Sequence, residues 1–172
     1  GYDRVLYMDP DILVVNPLHN LFEALETANI VLVPHIVHDF PEDGLKPDTA
    51  TILQHGVFNL GFIGIRLTSA TRSFLKWWQQ KLYHNCVMDP TNGFFVDQRV
   101  LDLAPCLFSD VKIIRDAGYD VAWWNLHERQ ITLAEGAWRC NDQPLYFFHF
   151  SQFDFVEPIR ISNHQSRVDI AL

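Results

Sequence analysis

The stretch Val5-Leu6-Tyr7-Met8-Asp9-Pro10-Asp11-Ile12-Leu13-Val14-Val15 decides the fold: two apolar runs parted by a pair of acids. The first run is short and free of Gly and Pro, which predicts a buried strand. Pro10 has no N–H to give a ladder, so the strand ends or bulges there. Asp9 and Asp11 then leave the carboxyl end of a core strand together, at the edge where open α/β sheets bind ligands. Two carboxylates ionised side by side repel each other, and a divalent cation that favours hard oxygen ligands, Mg²⁺ or Mn²⁺, relieves this. Asp-Pro-Asp is also ordinary turn composition, and a strand-end Asp can cap the turn that follows. The tripeptide by itself leaves both readings open.

Downstream, Asn16-Pro17 breaks the second run, and Pro17 suits the first turn of a helix. Leu18, Leu21, Phe22 and Leu25 recur at helical spacing until Ala28-Asn29. Residues 30–33 read as a second buried strand, stopped by Pro34. From His35 to His55 the composition turns to Pro, Asp, Glu, Gly and His, a long loop with one helical turn near 49–53. Residues 57–65 are apolar except for Asn59 and carry Gly61 and Gly64, which predicts a central strand with close backbone approach. Thr68 or Ser69 caps the longest helix, 70–83, striped by Phe74, Trp77, Trp78, Lys81 and Leu82. Its two tryptophans read as core packing ahead of a sugar platform.

Asp97 stands where an N-cap would for a helix at 98–103, which Pro105 closes. Residues 111–114 form another strand, and 121–124 are apolar without regularity. Glu135-Gly136 links two short strands as a hairpin. Residues 145–150 are a strongly apolar strand carrying one His, His149, and 155–172 is expected to be helical.

With 172 residues, 48% of them hydrophobic, the chain can bury a core as one domain. Thirteen Lys+Arg against 21 Asp+Glu give a formal charge of −8 without a basic cluster, which argues against nucleic acid or an anionic membrane surface as partner. No apolar run reaches membrane-spanning length. Cys86, Cys106 and Cys140, odd in number and widely spaced, favour free thiols in a reducing cytosol. The expected location is therefore cytoplasmic, with peripheral attachment at the inner membrane as the variant. The chain opens three residues before its first strand, with no initiator Met, so a fragment lacking its opening strands is expected.

Three further features carry chemistry. His149 on its apolar strand is either a hydrogen-bonded core residue or a third ligand beside two carboxylates. Asn59, alone among buried apolar neighbours, bonds nearby backbone or a ligand hydroxyl. Asp97-Gln98 caps a helix or grips sugar hydroxyls.

Taken in order, LYMDPDILV (6–14), IVLVPH (30–35), GVFNLGFIGIR (56–66), FFVDQ (94–98), GYDVAWWNLHER (118–129) and FFHFSQFD (147–154) resemble glycosyltransferases of family 8 type, and a bacterial branch in particular. Singly these stretches are weak; as an ordered set from Tyr2 to Asp154 they are specific. The resemblance implies a GT-A fold, a mixed α/β sheet flanked by helices, and a retaining, metal-dependent, hexosyltransferase-type enzyme using a nucleotide-sugar donor and a saccharide or other hydroxyl acceptor. It implies that Asp9, Asp11 and His149 hold Mn²⁺ or Mg²⁺. Asn59, Gly61 and Asn125 would border the donor sugar, and Asp97 and Gln98 would hold its hydroxyls or face the acceptor, with Asp97 the candidate nucleophile for a covalent route. It also implies that residues 1–172 are the metal-and-acceptor portion of a longer enzyme of envelope polysaccharide synthesis, its nucleotide-binding part absent. Asp120 departs from the Asn of that branch.

Two rivals stand beside this reading. Aspartyl phosphohydrolases also open with a strand and Asp-x-Asp, but by resemblance want Thr or Val where this chain has Leu13, and a downstream Lys is not evident. A binding module that turns nothing over is the other. Within it, His35-x-x-His38-Asp39 is a second place where a metal could be held.

Overall fold

In a computed structural model of the chain, the described residues are 1–154, 156, 158 and 161–168. The strands are β1 (Arg4–Met8), β2 (Ile12–Val14), β3 (Ile30–Leu32), β4 (Phe62–Arg66), β5 (Met88–Asp89), β6 (Phe94–Phe95), β7 (Val111–Ile113), β8 (Ile131–Ala134), β9 (Ala137–Cys140), β10 (Gln143–Pro144) and β11 (Phe147–His149). The helices are α1 (His19–Thr27), α2 (Thr49–His55), α3 (Ser69–Asn85) and the short α4 (Ala104–Leu107), with 3₁₀ turns at Pro90–Asn92, Arg99–Leu103 and Trp123–Asn125.

The main sheet has the order β1-β4-β3-β7. β4 pairs antiparallel with both β1 and β3, while β7 runs parallel to β3. The fold is thus mixed α/β, built from small sheets. β11 lies antiparallel to β2 in a separate two-stranded ribbon, with His149 opposite Ile12. The hairpin β8–β9 turns at Glu135 and Gly136, at φ 52° and 79°, the left-handed pair that a tight hairpin needs.

α1 buries Leu21, Ala24 and Leu25, and just past its end Ala28, against Val31, Val33, Phe62 and Phe147. α3 is held by a capping box between Thr68 and Thr71, and lays Phe74 into a second cluster with Leu32, Ile63 and Leu101. Trp77 and Trp78 pack on that cluster too, as core residues. Each such apolar side chain, fully buried, contributes about 1.5–3 kcal/mol.

Several expectations need correction. β1 is an edge strand whose Val5 and Tyr7 are 45% and 53% exposed, because period two sends alternate side chains to solvent. Phe22 points out of α1, and the buried stripe starts at Leu21. Only the second half of 57–65 is strand: Asn59 Oδ1 accepts the Gly61 N–H at 2.8 Å, and this local bond makes a turn of Leu60-Gly61 in place of a ladder. Asp97 caps nothing; Gln98 occupies the N-cap position, and the turn that follows is 3₁₀. Pro105 sits in the first turn of α4, where its missing N–H costs nothing, so it starts a helix where it was expected to end one. α2 is capped by Asp48 and runs two residues past the expected turn. Of the helix expected at 155–172, residues 155, 157, 159–160 and 169–172 lie outside the described residues, and 161–168 make turns and bends. No helix among the described residues is long and apolar enough to cross a membrane.

Candidate metal centre and its cleft

Asp9 follows β1 directly, and its N–H donates to Gly61 O at 2.8 Å, which ties the strand end to the Leu60-Gly61 turn. The turn at Pro10 closes with Ile12 N–H donating to Asp9 O at 3.2 Å, so Asp11 comes back beside Asp9. β11 brings the third group. Phe150 N–H donates to Asp11 O at 2.9 Å, and His149 Nε2 lies 3.2 Å from Asp11 Oδ1 and 3.9 Å from Asp9 Oδ2. One ligand atom from each of Asp9, Asp11 and His149 falls within 4.8 Å of the others. Among the described residues this is the only such group of three.

The donor set fits a hard or borderline divalent cation, since two carboxylates with one imidazole suit Mn²⁺ or Mg²⁺. Asp11 Oδ1 supports the fit: it is shut off from solvent and has no hydrogen-bond partner. Such an orphaned oxygen is costly unless something arrives to bond it. Tyr7 Oη donates to Asp9 Oδ1 at 2.6 Å, and this bond to a carboxylate, more than any other cause, pushes the phenol up to about 12.

His149 is packed from all sides. A Cβ on Gly61 would stand 2.3 Å from His149 Cε1 and 2.7 Å from Asn59 Oδ1, so only glycine leaves room for the ring. Trp124 meets the imidazole edge-on at 5.3 Å. Behind it, Nδ1 is 3.4 Å from the carboxylate of Asp120, which is fully buried. Burial opposes charging the ring, but Asp120, then Asp11 and Asp9, outweigh it and hold His149 above its ordinary pKa.

Asp9 and His149 also line a cleft of about 490 Å³, together with Asn59, Gly61, Asp97, Gln98, His35 and Trp124. Asp97 is half-buried; loss of water raises its carboxyl pKa, and the charge of Asp9 adds to this. Gln98 spends its amide on the walls: Oε1 accepts Leu60 N–H at 3.3 Å and Nε2 donates to His55 O at 2.9 Å. Asn59, held by Gly61 on one side, faces His35 Nε2 at 3.3 Å on the other. His35 is driven down to about 4 by burial, so its ring is neutral and accepts from the Asn59 amide.

The structure therefore gathers Asp9, Asp11 and His149, and sets Asn59, Gly61, Asp97 and Gln98 around the cleft. Asn125 is different. It is completely buried and does not line the cleft, because Oδ1 accepts Ala122 N–H while Nδ2 donates to His35 O and Asp120 O, each at 2.9 Å. Its amide is spent folding the turn, so the structure does not bring it to the cleft where a contact with a donor sugar was expected. The motif His35-x-x-His38-Asp39 is split among separate tasks: His35 on Asn59, His38 on Glu128 at 2.9 Å, and Asp39 on Thr49 at 2.7 Å.

Sequence reasoning misses two groups here. Asp120 stands out only as a departure from a resemblance, although an Asp after Gly118-Tyr119 is a residue that tolerates a left-handed turn. Glu128 accepts from the backbone N–H of Val37 at 3.0 Å and of His38 at 2.6 Å, fastening the start of the long loop. Flanked by His127 and Arg129, it gives no sign of this role in the sequence.

No family profile matches the chain, and no solved structure matches it. It is 27% identical, over an alignment of 173 residues, to YfnF of Bacillus subtilis strain 168, described as an uncharacterized protein. That alignment covers 98% of this chain and 56% of YfnF. A second uncharacterized protein of the same organism, YfnD, is 27% identical over 152 residues, 87% of this chain and 47% of YfnD. The chain thus spans about half the length of the curated relatives it matches.

Proposed function

We propose that this chain is the metal-and-acceptor part of a GT-A type glycosyltransferase, resembling family 8, that moves a sugar from a nucleotide-sugar donor, a UDP-sugar in our reading, to an acceptor hydroxyl with retention. One observation carries the proposal: Asp9, Asp11 and His149, from opposite ends of the chain, converge, and Asp9 and His149 line a cleft large enough for a sugar. Asp9, Asp11 and His149 would hold Mn²⁺ or Mg²⁺, which when bound supplies Lewis acidity toward the departing diphosphate.

The chain's own residues supply the rest. Asp97, kept partly out of water at the cleft wall, would hold sugar hydroxyls and face the positive charge that grows on the sugar as its bond to phosphate breaks. Gln98 and Asn59, with their amides already engaged, fix the shape of the wall. The acceptor oxygen attacks from the face the diphosphate leaves, and its proton passes to the departing phosphate oxygen, so no strong protein nucleophile is required.

Transfer assays on the full-length protein with UDP-sugars and Mn²⁺ test the reading. Asp11→Ala and His149→Ala are expected to abolish transfer and leave the circular dichroism unchanged. Unchanged transfer in either variant contradicts it. Donor binding without turnover would make this a binding module, and hydrolysis of simple phosphate esters lost in Asp9→Asn would favour a phosphohydrolase.

A further inference from the structure

Asp120 is fully buried, and neither of its carboxylate oxygens has a hydrogen-bond partner among the described residues. A carboxylate taken out of water is costly unless a positive or donating group faces it. The nearest such group is His149 Nδ1 at 3.4 Å, an atom that likewise has no other partner. The backbone brings the two together. Asp120 takes φ 52°, a left-handed conformation that Asp and Asn tolerate and most residues avoid. Its carbonyl is held by Asn125, and the next residue, Val121, is laced to β11 by Val121 N–H to Phe147 O at 3.2 Å and His149 N–H to Val121 O at 2.8 Å.

On the far side of the ring, Nε2 faces Asp11 and Asp9. The imidazole therefore stands between one buried carboxylate at Nδ1 and the ligand pair at Nε2. A neutral histidine carries its proton on either nitrogen, and only the form protonated at Nδ1 leaves Nε2 free to bind a metal.

We infer that Asp120 is a positioning residue for the metal centre: it keeps the His149 proton on Nδ1, fixes the ring plane and leaves the Nε2 lone pair open to the cation that Asp9 and Asp11 hold. The inference rests on the metal centre proposed above. A carboxylate behind a ligating histidine raises its basicity and sets its tautomer, and loss of such a partner typically costs 10–100-fold in metal affinity. A competing structural role exists: Arg129, buried nearby, also feels the charge of Asp120. Service as a counter-ion to Arg129 would leave the tautomer of His149 untouched.

The test compares wild type with Asp120→Gly, which suits a left-handed φ and deletes the carboxylate, and Asp120→Asn, which keeps that φ and an acceptor oxygen without the charge. Two quantities are measured on the full-length protein: Mn²⁺ affinity by calorimetry, and the tautomer of His149 by nitrogen-15 histidine NMR of the metal-free protein. The His149 signal is assigned by its loss in His149→Gln, at a pH where the ring is neutral. The expected result is an Nδ1–H ring in wild type, loss of that preference in Asp120→Gly, and Mn²⁺ binding weakened about 10–100-fold, with Asp120→Asn between the two. A natively folded Asp120→Gly with wild-type tautomer and affinity overturns the inference. Should Asp120→Gly not fold, wild-type tautomer and affinity in Asp120→Asn overturn it. A wild type that binds no Mn²⁺, while the variants still shift the tautomer, overturns the metal reading and supports the positioning role.

Discussion

Two histidines face the same cleft and are treated in opposite ways. His149 has carboxylates on both ring nitrogens and is held above its ordinary pKa. His35, as deeply buried, meets an amide and the edge of Trp124, and burial drives it down to about 4. Sequence position does not separate them, since both end apolar runs. Charge does: carboxylates face both ring nitrogens of His149, whereas the side chains against His35 are an amide and an aromatic edge.

The comparison breaks most visibly with pH. Unfolded His35 takes its proton near 6.5, but the folded ring resists until about 4. Between those values the unfolded chain binds more protons, so stability falls as pH is lowered, by up to about 3 kcal/mol. His149 acts in the opposite sense, because a raised folded pKa stabilises below the unfolded value and loses that effect as pH rises. Denaturant midpoints from pH 4.5 to 7 check this. His35→Gln, which keeps an acceptor for Asn59, is expected to flatten the acid limb, and an unchanged slope would contradict a neutral His35.

Gly61→Ala comes next. Its new methyl would sit 2.3 Å from the His149 ring, with the Asn59 side chain also in contact, so the ring must move. The expected cost is about 1–3 kcal/mol in thermal or denaturant unfolding, together with weaker Mn²⁺ binding. The Asn59 amide, which faces His35 Nε2 at 3.3 Å, is expected to shift as well, and a Gly61→Ala variant with wild-type stability and metal affinity would show that the close approach does not matter.

The smallest effect is expected for Trp78→Phe. It removes the N–H that holds Asp97 O at 3.1 Å but keeps most of the ring in its core cluster. A loss of about 1 kcal/mol is expected in unfolding experiments. Any change in catalysis should arise from Asp97 and spare the metal affinity.

Local chemistry was legible in the sequence. The break at Pro10, the cap at Thr68 and the hairpin at Glu135-Gly136 each follow from residues within a few positions of one another. Features decided by tertiary partners were not. Exposure of Val5 and Tyr7 depends on one face of β1 being left open to solvent, and the unravelling of 57–61 depends on an Asn59 side chain replacing ladder bonds. Gln98 and Asn125 look like ligand-binding amides until their backbone partners, tens of residues away or folded around a turn, are seen. Asp120 is the clearest case, because its burial, its left-handed backbone and its approach to His149 all arise from β11 returning across the fold. Asp9 and Asp11 were legible as a pair, but their juxtaposition with His149 is set by the β2–β11 register.

Calorimetric titration of Mn²⁺ into the full-length protein, alone and with UDP-sugars, tests the metal centre most directly. The account predicts Mn²⁺ binding that strengthens donor binding and is lost in Asp9→Ala, while a Glu128→Gln control, away from the three ligands, binds Mn²⁺ as wild type does. Binding that persists in Asp9→Ala, or donor affinity indifferent to Mn²⁺, would contradict it.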